Sequence, residues 1–272
     1  MPELPEVETV VGFVKPEIVG KTIMSVVPQN GYDKVLATHD PAQFSTLVNS
    51  KSISDVSRRG KYIVVHLQIG FLLIHLRMTG RLLFELSQND NPKHLTVIIN
   101  FDDGTQLYFK DYRKFGRLYY FETLDPINQK LGIEPLSPDF TDNWLKDRLE
   151  VSKRQLKPLL LDQKFIAGLG NIYVDEALWS TKLHPQQLGS TVSPAKARML
   201  HNSIQELLTR AIENQGTTII NFYFGEGKSG KFREQLKVFN RQDKKCPRCN
   251  QKIIKIRVAQ RGTHICPKCQ KL

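Results

Sequence analysis

The chain has 272 residues, 40% of them hydrophobic, enough for two packed domains or for one domain with appendages. No apolar run approaches the length of a membrane span, and the N-terminus has neither the basic region nor the apolar core of a secretory signal. These features argue against membrane-spanning and secreted classes and lead to the expectation of a soluble, cytoplasmic protein. The net charge is +12, and it sits at one end: residues Lys228 to Leu272 hold 14 Lys and Arg against Glu234 and Asp243, whereas the preceding 227 residues carry 25 basic and 25 acidic side chains. A neutral body with a strongly basic tail points to a polyanionic partner.

The first element is a predicted helix. Val7, Val10, Val11 and Val14 recur at spacings of three and four, and the preceding Pro2-Glu3-Leu4-Pro5-Glu6 places prolines and acids at its start. The same residues have a second reading. Pro2 is small enough to permit removal of Met1, which would leave a secondary amine at the chain start. An α-amino group with a pKa of about 7.7–8.0 is partly neutral near pH 7, and burial raises that share. A neutral amine can attack an electrophilic carbon and form a Schiff base, with Glu3 as the partner acid.

From Thr22 to about Phe121 the pattern predicts eight strands: Thr22–Val27, Ser52–Ser57, Tyr62–Gln68, Leu72–Leu76, Arg81–Leu86, Thr96–Phe101, Gln106–Phe109 and Arg117–Phe121. Turn signals at Gly60, Gly70, Gly80 and Gly104 separate several of them, and Pro41–Val48 reads as a short helix. Eight strands suit an antiparallel sandwich with the opening helix packed at one edge. From about Pro135 the periodicity turns helical, over Asp142–Glu150, Gln155–Lys164, Asn171–Ser180 and Ser193–Asn214. Ahead of the third helix, Gly168-Leu169-Gly170-Asn171 is a glycine turn at a helix N-terminus, a place where backbone N–H groups can hold a phosphate. A dinucleotide-binding turn is the rival reading, and it lacks the surrounding β-α-β unit.

All four cysteines lie in the basic tail, as Cys246-Pro-Arg-Cys249 and Cys266-Pro-Lys-Cys269. Two such pairs have the spacing of a four-thiolate zinc site, in preference to disulfides, which a reducing cytosol disfavours, or to a single redox dithiol. A closed four-cysteine site leaves no open coordination position, so the one zinc ion is structural. The alternating Lys252–Val258 reads as a strand, and so does Gln235–Phe239. The expected product is a β-hairpin zinc ribbon that presents Arg257 and Arg261.

Taken in order, these segments resemble the bacterial formamidopyrimidine-DNA glycosylase family, repair enzymes that remove 8-oxoguanine. The resemblance rests on Pro2–Glu8, Arg58-Arg59-Gly60-Lys61-Tyr62, His75-Leu76-Arg77-Met78-Thr79-Gly80, Asp111-Tyr112-Arg113-Lys114-Phe115-Gly116, Gly168–Glu176 and the cysteine ribbon with Arg261-Gly262-Thr263. It implies an α+β fold: an N-terminal antiparallel β-sandwich with an opening helix (1–131), a helical helix-two-turn-helix domain (132–227) and a C-terminal zinc ribbon (228–272). The implied activity is excision of oxidised purines, 8-oxoguanine and formamidopyrimidines, from double-stranded DNA, followed by lyase cleavage at the abasic site. Pro2 would attack C1′, Glu3 would move protons, Lys61 would sit beside the phosphate and sugar, and Arg261 would hold phosphates and assist the second elimination. Met78, Arg113 and Phe115 would fill the void left by the flipped nucleotide. Without the resemblance, Met78 and Phe115 would read as core residues, although nearby glycine turns favour exposure. Gly170, Asn171, Lys153, Lys157 and His94 would contact DNA.

The sequence departs from the family in two places. Thr217–Phe222 puts Ile220 where members often carry a basic residue in the loop over the flipped base. Pro92-Lys93-His94 reduces the usual Lys-His-x-His, which loosens the reading of His94. Leu4 favours the purine branch over the related endonuclease VIII branch, which typically has Gly there. An endonuclease VIII-like enzyme for oxidised pyrimidines and a non-catalytic zinc-ribbon damage-binding protein are the competing readings. The expected setting is a monomer acting near the bacterial nucleoid without an obligate protein partner.

Overall fold

Helix α1 (Leu4–Ile18) begins where the sequence places it, with Pro5 in its first turn and Glu6 accepting the Glu3 N–H at 2.8 Å. Its apolar stripe, Val7, Val10, Val11, Val14 and Ile18, is at most 5% exposed. The computed structural model describes residues 1–88, 90–217 and 230–272. The chain forms two units, Met1–Gln129 with Asn214–Lys231, and Lys130–Glu213 with Phe232–Leu272.

The first unit holds all eight expected strands: β1 (Thr22–Pro28), β2 (Lys51–Arg59), β3 (Tyr62–Leu67), β4 (Phe71–His75), β5 (Gly80–Leu83), β6 (Leu95–Phe101), β7 (Gln106–Asp111) and β8 (Arg117–Phe121). They are ordered β5-β7-β6-β1-β2-β3-β4-β8, with every neighbouring pair antiparallel. The ladder narrows at its middle. β1 meets β2 only at Thr22↔Ser52 and Ile23↔Lys51, so the ribbon folds there into two four-stranded layers. Both layers feed one core with α1, including Val26, Ile63, Val65, Ile74, Ile99, Phe109 and Leu118. This is the expected sandwich. Helix α2 (Pro41–Val48), capped by Asp40, covers β1, and the short α3 (Asp125–Asn128) follows β8.

The second unit is built on α4 (Asp142–Glu150), α5 (Leu156–Leu161), α6 (Asn171–Thr181) and α7 (Pro194–Glu213). Helix α5 stops short of the expected Lys164, because Asp162 takes the following N–H groups. Its carbonyl accepts from Phe165 and Ile166, and its carboxylate accepts from Lys164 at 3.0 Å. The ribbon is a hairpin of β9 (Ile254–Val258) and β10 (Arg261–Ile265). The expected strand at Gln235–Phe239 is not formed. Phe232–Gln235 is a turn of 3₁₀ helix, and the N–H groups of Lys237, Val238 and Phe239 all go to the buried carboxylate of Glu176 at 2.8–3.0 Å. Donors that a neighbouring strand would need are consumed by one side chain. Among the described residues the only parallel pairings are isolated bridges, so no β-α-β unit surrounds Gly168–Gly170. No helix of the described residues is long and apolar enough to cross a membrane.

Candidate functional site

In the first unit, Pro2, Glu3, Glu6 and Lys61 are all buried around the chain start, Glu3 to 4% exposure and Lys61 to 5%. Glu6 Oε2 accepts from Glu3 N, and Glu6 Oε1 accepts from Thr217 N at 2.7 Å. Helix α1 is thereby tied to the segment leading into 218–229. Gly216 makes that approach possible: it has a φ of +75°, and a Cβ there would lie 2.9 Å from Glu6 Oε1. The α-amino group of Met1 is held below its ordinary value of 8.0, chiefly by burial, with Lys61 and Arg113 adding and Glu3 and Glu6 opposing. The Met1 amine is thus biased toward its neutral form. Ile220 lies outside the described residues.

His75, at the end of β4, has its pKa lowered to about 3 by burial, reinforced by Arg77 and Lys61. Its Nδ1 accepts from Arg77 N at 3.0 Å, so the ring is neutral and holds the turn that follows. Between pH 6.5 and about 3 the unfolded chain binds a proton that the folded chain refuses, so stability falls as pH falls through this window. Asn in place of His75 keeps an acceptor but does not titrate. His75→Asn is expected to remove about 2 kcal/mol of the stability lost between pH 6.5 and 5, read from urea unfolding at both pH values. An unchanged pH dependence would show that His75 is not the group responsible.

Two tight turns project from the sandwich. One carries Met78, 42% exposed, and the other carries exposed Arg113 and Phe115, the latter 46% exposed. The core reading of Met78 and Phe115 is therefore excluded. The three side chains touch: the Arg113 guanidinium stacks 4.7 Å from the Phe115 centroid and places Nη1 2.8 Å from Met78 Sδ. Half-buried His94 packs its ring 4.5 Å from that of Tyr112, in the same turn as Arg113 and Phe115, and Arg81 and Lys110 also sit over the Tyr112 ring.

In the second unit, Gly170 is the N-cap of α6, as the sequence predicts, and Gln163 holds the turn by accepting from Gly168 N and donating to Leu169 O, both at 2.9 Å. Asn171 donates to Gly262 O at 3.0 Å, and its Oδ1 is buried without a hydrogen-bond partner. Lys157 is fully buried. Its Nζ lies 2.6 Å from Asp175 Oδ1 and 3.1 Å from Gly262 O. Asp175 Oδ2 accepts from His264 N at 2.8 Å. Lys157 and Asn171 thus converge on the carbonyl following Arg261. Lys153 and Arg261 are exposed. Arg261 follows a two-residue hairpin turn in which Ala259 and Gln260 both have positive φ, at +44° and +61°. This is the turn that matches strand twist, made here without glycine and so under strain.

Cys246, Cys249, Cys266 and Cys269 bring their Sγ atoms within 4.8 Å of one another, and none is in a disulfide. Four thiolates at this spacing fit one tetrahedral zinc ion and close its coordination. Trp179 Nε1 donates toward Cys246 Sγ at 3.4 Å, and Arg248 stacks 4.1 Å over the Trp179 ring while donating to the Trp179 and Ser180 carbonyls. The cysteine knuckles are in this way docked on the end of α6. Val238 and Ile253 pack beneath the sulfurs.

Three family models match this chain in succession: the formamidopyrimidine-DNA glycosylase N-terminal domain over residues 1–118, the H2TH domain of the same enzymes over 131–222, and the zinc finger found in FPG and IleRS over 243–272. The chain belongs to the formamidopyrimidine-DNA glycosylase family. The formamidopyrimidine-DNA glycosylase of Pelotomaculum thermopropionicum is 43% identical, with each chain covered in full. Among solved structures, a mutant of the Lactococcus lactis FPG bound to Fapy-dG-containing DNA is 36% identical with a TM-score of 0.91, both chains fully covered. The wild-type Lactococcus lactis protein bound to DNA containing an oxidised pyrimidine gives 36% and 0.89, again with full coverage. A MutM complex with DNA containing carbocyclic 8-oxo-G gives 37% identity and a TM-score of 0.89 over both whole chains.

Several residues of these networks escape sequence reasoning. Glu6 reads as an ordinary first-turn acid, although its place three residues after Glu3 is the signature of a capping box. Asp175 carries a usable signal, an acid among the buried residues Ile172–Leu178 of α6. Asp111 and Thr79 carry none beyond their place in the motifs.

Proposed function

We propose that this chain excises oxidised purines from duplex DNA through its own N-terminal proline. It is a base-excision repair glycosylase with abasic-site lyase activity, and its partner is damaged duplex DNA. The observation that carries the catalytic reading is the buried group at the chain start: Pro2 beside Glu3, Glu6 and Lys61, with the adjacent amine biased toward neutrality. Once Met1 is removed, the Pro2 nitrogen attacks C1′ of the damaged nucleoside, and Glu3 protonates the sugar ring oxygen as the base departs. The resulting Schiff base makes the C2′ proton acidic, so β-elimination and then δ-elimination follow. The product is a one-nucleoside gap flanked by phosphates. Lys61 sits beside the sugar and phosphate, and Arg261 holds phosphates for the second elimination.

In the same reading Met78, Arg113 and Phe115 enter the stack when the nucleotide flips, and Arg113 bonds the orphaned cytosine. Gly170, Asn171, Lys153 and His94 engage the backbone. Lys157 acts from beneath, through Gly262. Residues 1–131, 132–227 and 228–272 divide these tasks as catalytic sandwich, helical clamp and zinc ribbon. The enzyme works as a cytoplasmic monomer at the nucleoid.

Two measurements test this reading. On matched duplexes, 8-oxoguanine and formamidopyrimidine should be excised faster than an oxidised pyrimidine, and the reverse order would favour the endonuclease VIII-like reading. Affinity for duplex DNA should fall by roughly a thousandfold between about 50 and 200 mM salt if six or more phosphates are held, whereas a flat salt profile would remove the basic tail from the interface.

A further inference from the structure

The void-filling side chains sit on two separate turns, and what holds those turns in one geometry is a single buried acid. The turn Leu76–Gly80 joins β4 to β5. The turn Asp111–Gly116 leads from β7 toward β8. β4 pairs with β8 through His75↔Arg117, and β5 pairs with β7 through Gly80↔Asp111, so the two turns run side by side. Each contains a non-glycine residue in the left-handed region, Arg77 at +54° and Lys114 at +55°. Such turns need outside support.

Asp111 supplies it. The residue is fully buried. Its Oδ1 accepts from the Thr79 hydroxyl and from Arg113 N at 3.1 Å, and its Oδ2 accepts from Gly116 N at 2.6 Å. The Thr79 hydroxyl in turn accepts from Arg113 N at 3.0 Å. One carboxylate therefore bonds the turn bearing Met78 and both ends of the turn bearing Arg113 and Phe115. The packing leaves no slack: a Cβ on Gly116 would lie 2.3 Å from the Phe109 ring, and one on Gly80 would lie 2.4 Å from Leu76 O.

We infer that Asp111, acting with Thr79, is a positioning residue that presets Met78, Arg113 and Phe115 as one rigid wedge before DNA arrives. It touches no nucleotide itself. The inference rests on the proposed void-filling role of those three side chains. Its consequence is selective. Steps that require the wedge, excision from a duplex and discrimination of the opposite base, depend on Asp111. Cleavage at a preformed abasic site in single-stranded DNA has no void to fill and does not.

Asp111→Asn replaces one acceptor oxygen with a donor. In either amide orientation, an N–H group then faces Gly116 N–H or the Thr79 and Arg113 donors. Excision of 8-oxoguanine opposite cytosine should slow by roughly tenfold to a hundredfold, the effect of one misplaced buried hydrogen bond to a charged group. The preference for cytosine over adenine that the proposed Arg113–cytosine bond would confer should collapse with it. Single-stranded abasic cleavage should stay within about twofold. Thr79→Val should act in the same direction, and Thr79→Ser should restore the parent values; this pair serves if Asp111→Asn fails to fold.

Parent-level controls separate the two layers. If Met78→Ala and Phe115→Ala leave duplex excision unchanged, the void-filling reading is wrong and the inference falls with it. If those variants slow excision while folded Asp111→Asn and Thr79→Val keep both rate and opposite-base preference, the inference alone is overturned.

Discussion

Replacing Pro2 with glycine is expected to leave duplex binding nearly unchanged and to slow base excision by at least about a hundredfold. Glycine still offers an amine, so the loss comes from geometry. The pyrrolidine ring fixes the direction of the nitrogen lone pair, and a displacement of about 1 Å at a reacting atom costs on the order of a hundredfold. The surroundings of Pro2 are built for placement: it is buried, the next residue is anchored by Glu6, and Glu6 is anchored by Thr217. A sharper form of the experiment keeps any residue joined to the Pro2 nitrogen, for example an uncleaved extension. An amide nitrogen has no lone pair to give, so base excision and covalent trapping should both disappear while DNA affinity survives. Full excision by either variant would remove Pro2 from the chemistry and require a different nucleophile.

The second large effect concerns the metal. Cys246→Ser is expected to release the zinc ion, dropping the bound metal from one equivalent to near zero, because the four sulfurs form a closed set and Cys246 is the one that Trp179 and Arg248 dock onto α6. Zinc supplies no step of the reaction; its bonds fold the knuckles that carry the hairpin. Losing the hairpin removes Arg257 and Arg261, so the salt dependence of DNA binding should become shallower by roughly two charges and affinity should weaken by at least about tenfold. Metal analysis together with a salt titration checks both. Retained zinc would refute the quartet, and lost zinc with an unchanged salt slope would take the ribbon out of the interface.

Much of this molecule is legible in the sequence because its local signals agree with its tertiary ones. The eight strands of the sandwich are short runs rich in apolar and β-branched residues, punctuated by turns, and α4 and α2 begin at side-chain caps, Thr141 and Asp40. The cysteine spacing fixes the ribbon almost by itself. Failures arise where a distant side chain overrides the local pattern. Gln235–Phe239 alternates like a strand, but Glu176, some sixty residues earlier, captures its N–H groups. Lys157 is expected to contact DNA, yet Asp175 and Gly262 hold it fully buried in the interior. The tie between Glu6 and Thr217 spans 211 residues and has no local trace in the sequence. At the candidate site the residue types were legible from the motifs, and the nearby glycine turns signalled the exposure of Met78 and Phe115; the buried carboxylate that braces both turns was not legible. Composition alone would have buried Met78 and Phe115, and only the two turns braced by Asp111 bring them to the surface.

The most direct test of the proposed chemistry is borohydride reduction of the protein on a duplex containing 8-oxoguanine opposite cytosine, with the adduct located by peptide mapping. The mechanism requires one covalent protein–DNA product linked through the nitrogen of Pro2, on chains that have lost Met1. Tight binding with no adduct, or an adduct mapped to a lysine instead, would contradict it.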